Sequence, residues 1–164
     1  MLEFGLNLNK PVFIRYPRGG ENYQFENTKN IEFGKAELIQ EGTDLSLIAI
    51  GKMVGRAKEV ANLLSEKSIE IINARFLKPL DEKTILKSIE KTGHVITLED
   101  NLLKGGLGSA VIESVNNSSL KNIKVQTFGY NDIFVEHGTV KEVEEKYGLT
   151  AEKISENVFT FTEI

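Results

Sequence analysis

The sequence predicts an open three-layer α/β fold, in which a mostly parallel sheet is covered by helices on both faces. From position 42 onward, short apolar runs rich in β-branched residues alternate with longer amphipathic segments. Their order is β-α-β-α-β-α-β, and right-handed crossovers convert that order into such a sheet. Residues 36–42 (AELIQEG) lie just before the first of these strands. They predict a hairpin partner, and therefore one antiparallel edge strand.

Each predicted strand is a compact apolar run, and each is followed by a helical pattern. The strands are residues 45–50 (LSLIAI), 69–73 (IEIIN), 94–98 (HVITL) and 123–128 (IKVQTF). The helices are residues 54–64, 81–92, 106–115 and 139–147, with a last one beginning near Thr150.

Capping residues set the ends of two of these helices. Asp81 follows Pro79 and predicts an N-cap or first-turn acid, and Gly93 ends the same helix. Thr139 has a glutamate three residues later, which is the spacing of a capping box.

Composition excludes several classes of protein. The chain has 164 residues, 40% of them hydrophobic, which suits one well-buried domain. Lysine and arginine number 20 against 24 acids, so no basic surface for nucleic acid is predicted. No cysteine is present, and the two histidines, His94 and His137, are too far apart for a sequence-local metal site. The N-terminus lacks a signal-peptide pattern and no run is long enough to span a membrane, so we expect a cytoplasmic protein without a membrane partner.

Residues 1–35 do not share the alternating pattern. A helix-like start, one strand at 11–16 and a polar loop resemble the end of a unit whose other strands are missing, since an isolated strand cannot satisfy its backbone groups. We therefore expect residues 1–18 to be the tail of a preceding domain, 19–35 a linker, and 36–164 the α/β domain.

Two acids and a glycine-rich loop are candidates for chemistry, and each also has a structural interpretation. Glu99 and Asp100 end a strand at the edge where ligands bind in open α/β folds, but capping of the following helix is the favoured role. The loop 104–110 (KGGLGSA) could hold an anion at a helix start, but it lacks the spacing of nucleotide-binding loops. Close packing of helix on strand is the favoured explanation of its glycines.

A serine triad drawn from Ser109, His137 and Asp132 is disfavoured, because no nucleophile-elbow pattern surrounds the serine. No catalytic residue is therefore predicted. Neither histidine can be given a role from the sequence.

Arginines at strand ends are the more informative groups. Arg75 ends the run IEIINAR, and Arg15 and Arg18 follow the earlier strand in IRYPRGG. A guanidinium is a permanently charged fork that suits phosphate and carboxylate. If the two strand ends meet at one cleft, Arg75 with Arg15 or Arg18 could bind one phosphate, whereas spacing alone favours exposed, ion-paired arginines.

Seven motifs follow one another along the chain: IRYPRG (14–19), DLSLIAIG (44–51), NARFLKPLD (73–81), VITLEDN (95–101), GGLGSAV (105–111), FGYNDIFVEHGT (128–139) and YGLT (147–150). This ordered set closely resembles the 1-deoxy-D-xylulose-5-phosphate synthases, which are thiamine diphosphate enzymes of the transketolase-like superfamily. The resemblance covers nearly the whole chain, and RYPRG together with RFLKPLD is its discriminating pair.

The resemblance implies the activity, the cofactors and the partners. Such enzymes are cytoplasmic homodimers that use thiamine diphosphate and magnesium to condense pyruvate with D-glyceraldehyde 3-phosphate, with release of CO₂, for isoprenoid and thiamine biosynthesis. It also implies a transketolase C-terminal domain-like fold, and that Arg15 and Arg75, with Arg18 less directly, bind the phosphate of the aldehyde.

The motifs that hold the diphosphate, the metal and the aminopyrimidine in these enzymes have no counterpart in this sequence. We therefore expect the chain alone to bind neither thiamine diphosphate nor magnesium and to be inactive. Its partner would be the remainder of the same polypeptide or a separate subunit that carries the thiamine site. Two alternatives stay open: a non-catalytic interaction or dimerisation module, and the small subunit of a split transketolase-like enzyme.

Overall fold

The computed structural model describes residues 1–14 and 30–162, and for Phe159 and Thr162 it describes the backbone only. The described part contains a five-stranded sheet with helices on both faces, as predicted. The elements are α1 (Leu2–Leu6), β1 (Glu37–Gln40), β2 (Leu45–Ala49), α2 (Met53–Leu63), β3 (Ile69–Asn73), α3 (Glu82–Thr92), β4 (His94–Leu102), α4 (Leu107–Asn117), β5 (Lys124–Tyr130), α5 (Val140–Lys146) and α6 (Ala151–Thr162).

The strand order is β1-β3-β2-β4-β5, with β1 antiparallel to β3 and the other pairs parallel. The antiparallel edge strand is confirmed, but the predicted hairpin with β2 is wrong, because β1 pairs with β3. The connection after β1 crosses the start of β3: a Cβ on Gly42 would lie 2.2 Å from the Glu70 nitrogen. Thr43 and Asp44 also donate their N–H groups to the Ser68 carbonyl. The chain therefore enters β2 one strand beyond β1, and β3 later occupies the place between them.

The buried core consists of two layers, one on each face of the sheet. Strand β2 is central and fully buried, and its residues alternate between the layers: Leu47 packs with α2 and α6, whereas Ile48 packs with α3 and α4. Buried apolar surface stabilises the fold by about 25 cal/mol per Å². The second layer also contains a polar contact, in which the Ser46 hydroxyl bonds those of Ser88 and Thr92 at 2.6 and 2.8 Å.

The predicted helix ends are confirmed where capping residues mark them. The Asp81 carboxylate accepts the N–H of Thr84 at the start of α3, and Gly93 ends that helix with a φ of 69°. Thr139 and Glu142 form the predicted capping box of α5. None of the helices in the described ranges is long and apolar enough to cross a membrane.

The strand predicted at 11–16 is not formed in residues 11–14. Residues 11–14 are not part of a strand, and residues 15 and 16 lie outside the described part of the chain. The apolar residues there instead contact α1, where a Cβ on Gly5 would lie 3.2 Å from the Val12 side chain.

Candidate functional site

The carboxyl ends of β2, β3, β4 and β5 share one edge of the sheet, which we call the carboxyl edge. Ligands bind at this edge in open α/β folds. Among the described residues, two groups of buried or partly buried charged side chains lie there, one beyond β3 and the other beyond β2 and β4.

The first group is built around Arg75, two residues after β3. Its backbone has a φ of 54°, a left-handed conformation that is uncommon for a residue with a side chain. The N–H of Arg75 donates to the Asn73 side-chain oxygen at 3.1 Å, which supports this turn. The chain therefore bends sharply at the end of β3.

The guanidinium of Arg75 forms a buried ion pair with Glu37 of β1, with 2.5 Å between Nη2 and the carboxylate oxygen. Both side chains are only 8% exposed. Glu37 lies opposite Asn73 in the antiparallel register, so the pairing of β1 with β3 brings the carboxylate to the arginine. Arg75 Nη1 also donates to the Asn30 carbonyl at 3.3 Å.

Aromatic rings lie beside this pair. Phe76 makes edge-to-face contacts with Phe4 of α1 and with Phe33, at centroid distances of 5.7 and 5.5 Å. These contacts attach the N-terminal segment to the carboxyl edge next to Arg75.

The second group is a network around Glu144 of α5. Its carboxylate accepts from Lys52 at 3.0 Å and from Arg56 at 2.7 Å, and Lys52 also pairs with Asp100 at 3.0 Å. Arg56 additionally bonds Glu59. Burial acts to lower the pKa of Lys52, but its hydrogen bonds to Asp100 and Glu144 outweigh burial and raise it. The network joins α2, β4 and α5.

Tyr130, the last residue of β5, completes this network. Burial raises the pKa of its hydroxyl, and the negative charge of Asp100, to which it is hydrogen-bonded, raises that pKa further. Its ring packs edge-to-face against Tyr147 at 5.6 Å. The motifs FGYNDIFVEHGT and YGLT therefore contact each other through these two tyrosine rings.

Glu99 caps a helix, as the favoured interpretation predicted. Its carboxylate, which is buried, accepts the N–H groups of Leu107 and Gly108 at 2.9 Å each, at the start of α4. Burial raises the pKa of Glu99, and the two N–H bonds oppose that shift. Asp100 has a different role, since it pairs with Lys52 and Tyr130.

Close packing accounts for the glycines of the loop before α4. A Cβ on Gly106 would lie 2.0 Å from the Glu99 carboxylate, and one on Gly108 would lie 2.7 Å from the Thr127 side chain. This is the helix-on-strand packing that the sequence favoured.

The other residues singled out from the sequence lie outside the described part of the chain or outside the two charged groups. Arg15 and Arg18 lie outside the described residues, so their position relative to Arg75 is not part of the structure. His94 packs its ring against Phe161 at 5.8 Å, and His137 is exposed in the loop after β5. In residues 1–14 and 30–162, no three histidine or acidic side chains are arranged to hold a metal ion.

Sequence reasoning missed Lys52, Arg56, Glu37 and Glu144. Lys52 could have been found, because it follows a strand end just as Arg75 does. Glu144 could not, because its partners Lys52 and Arg56 are 92 and 88 residues away in sequence.

A family model described as "Transketolase, C-terminal domain" matches residues 34–154. The chain belongs to the transketolase C-terminal domain family. The 1-deoxy-D-xylulose-5-phosphate synthase of Desulforudis audaxviator is 42% identical over 158 residues, covering 94% of this chain and 25% of the relative. The enzyme of the same name from Halothermothrix orenii is 41% identical over 161 residues, covering 96% and 25%. The chain thus spans about a quarter of the length of these curated relatives.

Solved structures agree with this family. One described as "Split gene transketolase, inactive beta4 tetramer" matches with a TM-score of 0.88 and 32% identity, over 99% of this chain and 53% of that chain. A transketolase from Campylobacter jejuni matches with a TM-score of 0.57 and 19% identity, over 77% of this chain and 18% of that one, which shows the common fold.

Proposed function

We propose that this chain is the C-terminal portion of a 1-deoxy-D-xylulose-5-phosphate synthase, which condenses pyruvate with D-glyceraldehyde 3-phosphate and releases CO₂. One observation carries the proposal: relatives with that name are about 40% identical over 94% or more of the chain. The motifs that resemble this family include Arg75 of the first charged group and Asp100 and Tyr130 of the second.

In this proposal, cofactor binding and the contacts to the aldehyde phosphate belong to different parts of the enzyme. We assign thiamine diphosphate and magnesium to the part of the enzyme outside this chain, because the motifs that hold them in this family have no counterpart in this sequence. Residues 1–18 would be the tail of the preceding domain, 19–35 the linker and 36–164 the C-terminal domain. The complete enzyme would be a homodimer, and this chain alone would be inactive.

Within that enzyme, we assign Arg75 to the phosphate of the aldehyde, together with Arg15 and, as the further candidate, Arg18. A left-handed backbone at a residue other than glycine costs about 1–2 kcal/mol, and such outliers cluster at functional sites. The charge and the fork geometry of a guanidinium suit a phosphate.

Glu37 bears directly on this assignment. Its carboxylate already holds the Arg75 guanidinium, and both side chains are 8% exposed. A guanidinium has five N–H donors, so a carboxylate and a phosphate can share one. In the proposed site Glu37 aims the guanidinium, and substrate reaches it after the surrounding side chains shift.

The test is the Arg75→Ala variant of the complete enzyme, assayed with each substrate in turn. Loss of one arm of a phosphate clamp should cost about 2–4 kcal/mol. KM should therefore rise on the order of 30-fold or more for the aldehyde phosphate and much less for pyruvate.

Arg56→Ala is the matched control, because it removes the same charge from the other group at the carboxyl edge. It should lower stability without separating the two substrates. Equal effects of Arg75→Ala on both KM values, or no effect on either, would show that Arg75 does not bind the phosphate.

The small subunit of a split enzyme is the second candidate, and the match to a split-gene transketolase over 99% of this chain favours it. An immunoblot of source cells with an antibody to this domain distinguishes the two. A band near 18.3 kDa would indicate a separate subunit or an interaction module, and a band several times larger would indicate the complete synthase.

A further inference from the structure

The loop between β5 and α5, residues 131–139, exposes a continuous apolar stretch, and we call it the edge loop. Phe134 is fully exposed, and its neighbours Ile133 and Val135 are 48% and 40% exposed. Val140, at the start of α5, is also exposed. Single apolar residues are common on surfaces, but several in succession mark an interaction site.

Polar contacts on both sides hold the edge loop in place. Before the apolar stretch, Asp132 pairs with Lys104 at 3.4 Å. After it, Glu136 pairs with Lys146 at 2.7 Å, and Thr139 forms the capping box. These contacts restrict the loop at its two ends, which reduces the conformational entropy lost when a partner covers it.

The apolar surface continues onto the sheet. Leu102, at the end of β4, is 39% exposed and lies opposite Tyr130 in the register of β4 and β5. The edge loop begins directly after Tyr130, so both features lie at the carboxyl edge. This is also the edge that carries Arg75.

Charge distinguishes between the possible partners. Among the exposed residues of 131–146, four acids and two lysines leave a net charge of −2. A second copy docking through the same surface would bring acids against acids, which is unfavourable. The surface instead suits an apolar recess with a basic rim. The acids are Asp132, Glu136, Glu142 and Glu145, and the lysines are Lys141 and Lys146.

We propose that the edge loop docks, through Ile133, Phe134 and Val135, against the portion of the synthase that carries the thiamine site. This rests on the proposed function. The curated relatives extend over about four times the length matched by this chain, so the longer polypeptide has residues outside the matched part to cover the loop. Docking there holds the carboxyl edge, and Arg75 with it, against the rest of the enzyme.

Hydrogen exchange tests the contact directly. Amide exchange of residues 131–139 is compared between the 164-residue chain alone and the assembled enzyme in which it is joined to, or bound by, the thiamine-carrying portion. Exchange should be at least about tenfold slower in the assembled enzyme. Equal rates in the two samples would overturn the proposal.

Two variants identify the side chain responsible. Phe134→Asp should lower the melting temperature of the assembled enzyme by about 4 °C or more and leave that of the chain alone unchanged, because Phe134 contacts solvent there. Leu63→Asp is the control, since Leu63 is 52% exposed at the end of α2, away from the carboxyl edge. It should affect both samples alike. If Phe134→Asp also affects both alike, the loop does not dock.

Sedimentation of the 164-residue chain addresses self-association. A dimer of this chain that Phe134→Asp dissociates would overturn the proposal in favour of a second copy as the partner. Failure of the proposed function appears separately: an assembled wild-type enzyme that shows slow loop exchange but releases no CO₂ from pyruvate would retain the docking contact and lose the assigned reaction.

Discussion

Both charged groups at the carboxyl edge pair basic side chains with carboxylates, but they connect different parts of the fold. In the first, Arg75 has a strained backbone and pairs with Glu37 from the neighbouring strand of the sheet. In the other, Glu144 is shared by Lys52 and Arg56, and the contacts cross 92 and 88 residues of sequence. The second group connects α5 to α2 and β4. The first connects β1 to the end of β3, and these two strands are already paired in the sheet.

The two groups differ in whether stability alone explains their residues. A carboxylate shared by two cations stabilises the packing of elements that are distant in sequence. This structural role is sufficient to explain why those residues are present. The left-handed backbone at Arg75 costs stability, and the anion binding that we propose for this residue would account for that cost.

The largest effect on stability should come from Glu144→Ala. It removes the carboxylate that the partly buried Lys52 and Arg56 share and so breaks two ion pairs at once, which should reduce the free energy of unfolding by about 2–3 kcal/mol. Urea unfolding measures the loss. The neighbouring exposed Glu145→Ala is the control and should change stability by less than about 0.5 kcal/mol. If the two variants unfold alike, the network does not secure α5.

Arg75→Ala should destabilise the isolated chain less, by about 1–2 kcal/mol, because it breaks one ion pair whereas Glu144→Ala breaks two. Glu37→Ala should have a similar effect, and the double variant should lose less than the sum of the two. Urea unfolding of all four proteins gives the coupling energy. Strict additivity would mean that the ion pair does not contribute to stability.

The smallest effect should come from Tyr130→Phe, about 0.5–1.5 kcal/mol at neutral pH, because it removes one hydrogen bond to Asp100. Folding raises the pKa of Tyr130, so its contribution is complete below the unfolded pKa of about 10 and is lost as pH rises above it. The wild type should therefore lose its advantage over Tyr130→Phe between about pH 10 and 12. Unfolding at a series of pH values checks this, and a constant difference across that range would show that folding does not raise the pKa of Tyr130.

Local patterns were sufficient for much of the fold. The apolar runs of β2 to β5, the Asp81 cap, the capping box at Thr139 and the end of α3 at Gly93 all depend on residues within a few positions of one another. The helix-capping role of Glu99 was also favoured correctly, because it lies at a strand end just before α4.

The candidate site was predicted only in part. The position of Arg75 at the carboxyl edge follows from its place after β3, but the carboxylate that holds it does not. Glu37 reaches Arg75 because β1 pairs with β3, whereas the sequence favoured a hairpin between β1 and β2.

Residue type and spacing therefore determine which segments become strands and helices and where each begins or ends, since those choices depend on short-range hydrogen bonds and on the period of the apolar residues. Tertiary structure decides which strand lies beside which, and hence which acids meet Lys52, Arg56 and Arg75. Those partners are chosen by packing of the whole sheet and its helices, and the attraction between two charges has no dependence on how far apart they lie along the chain.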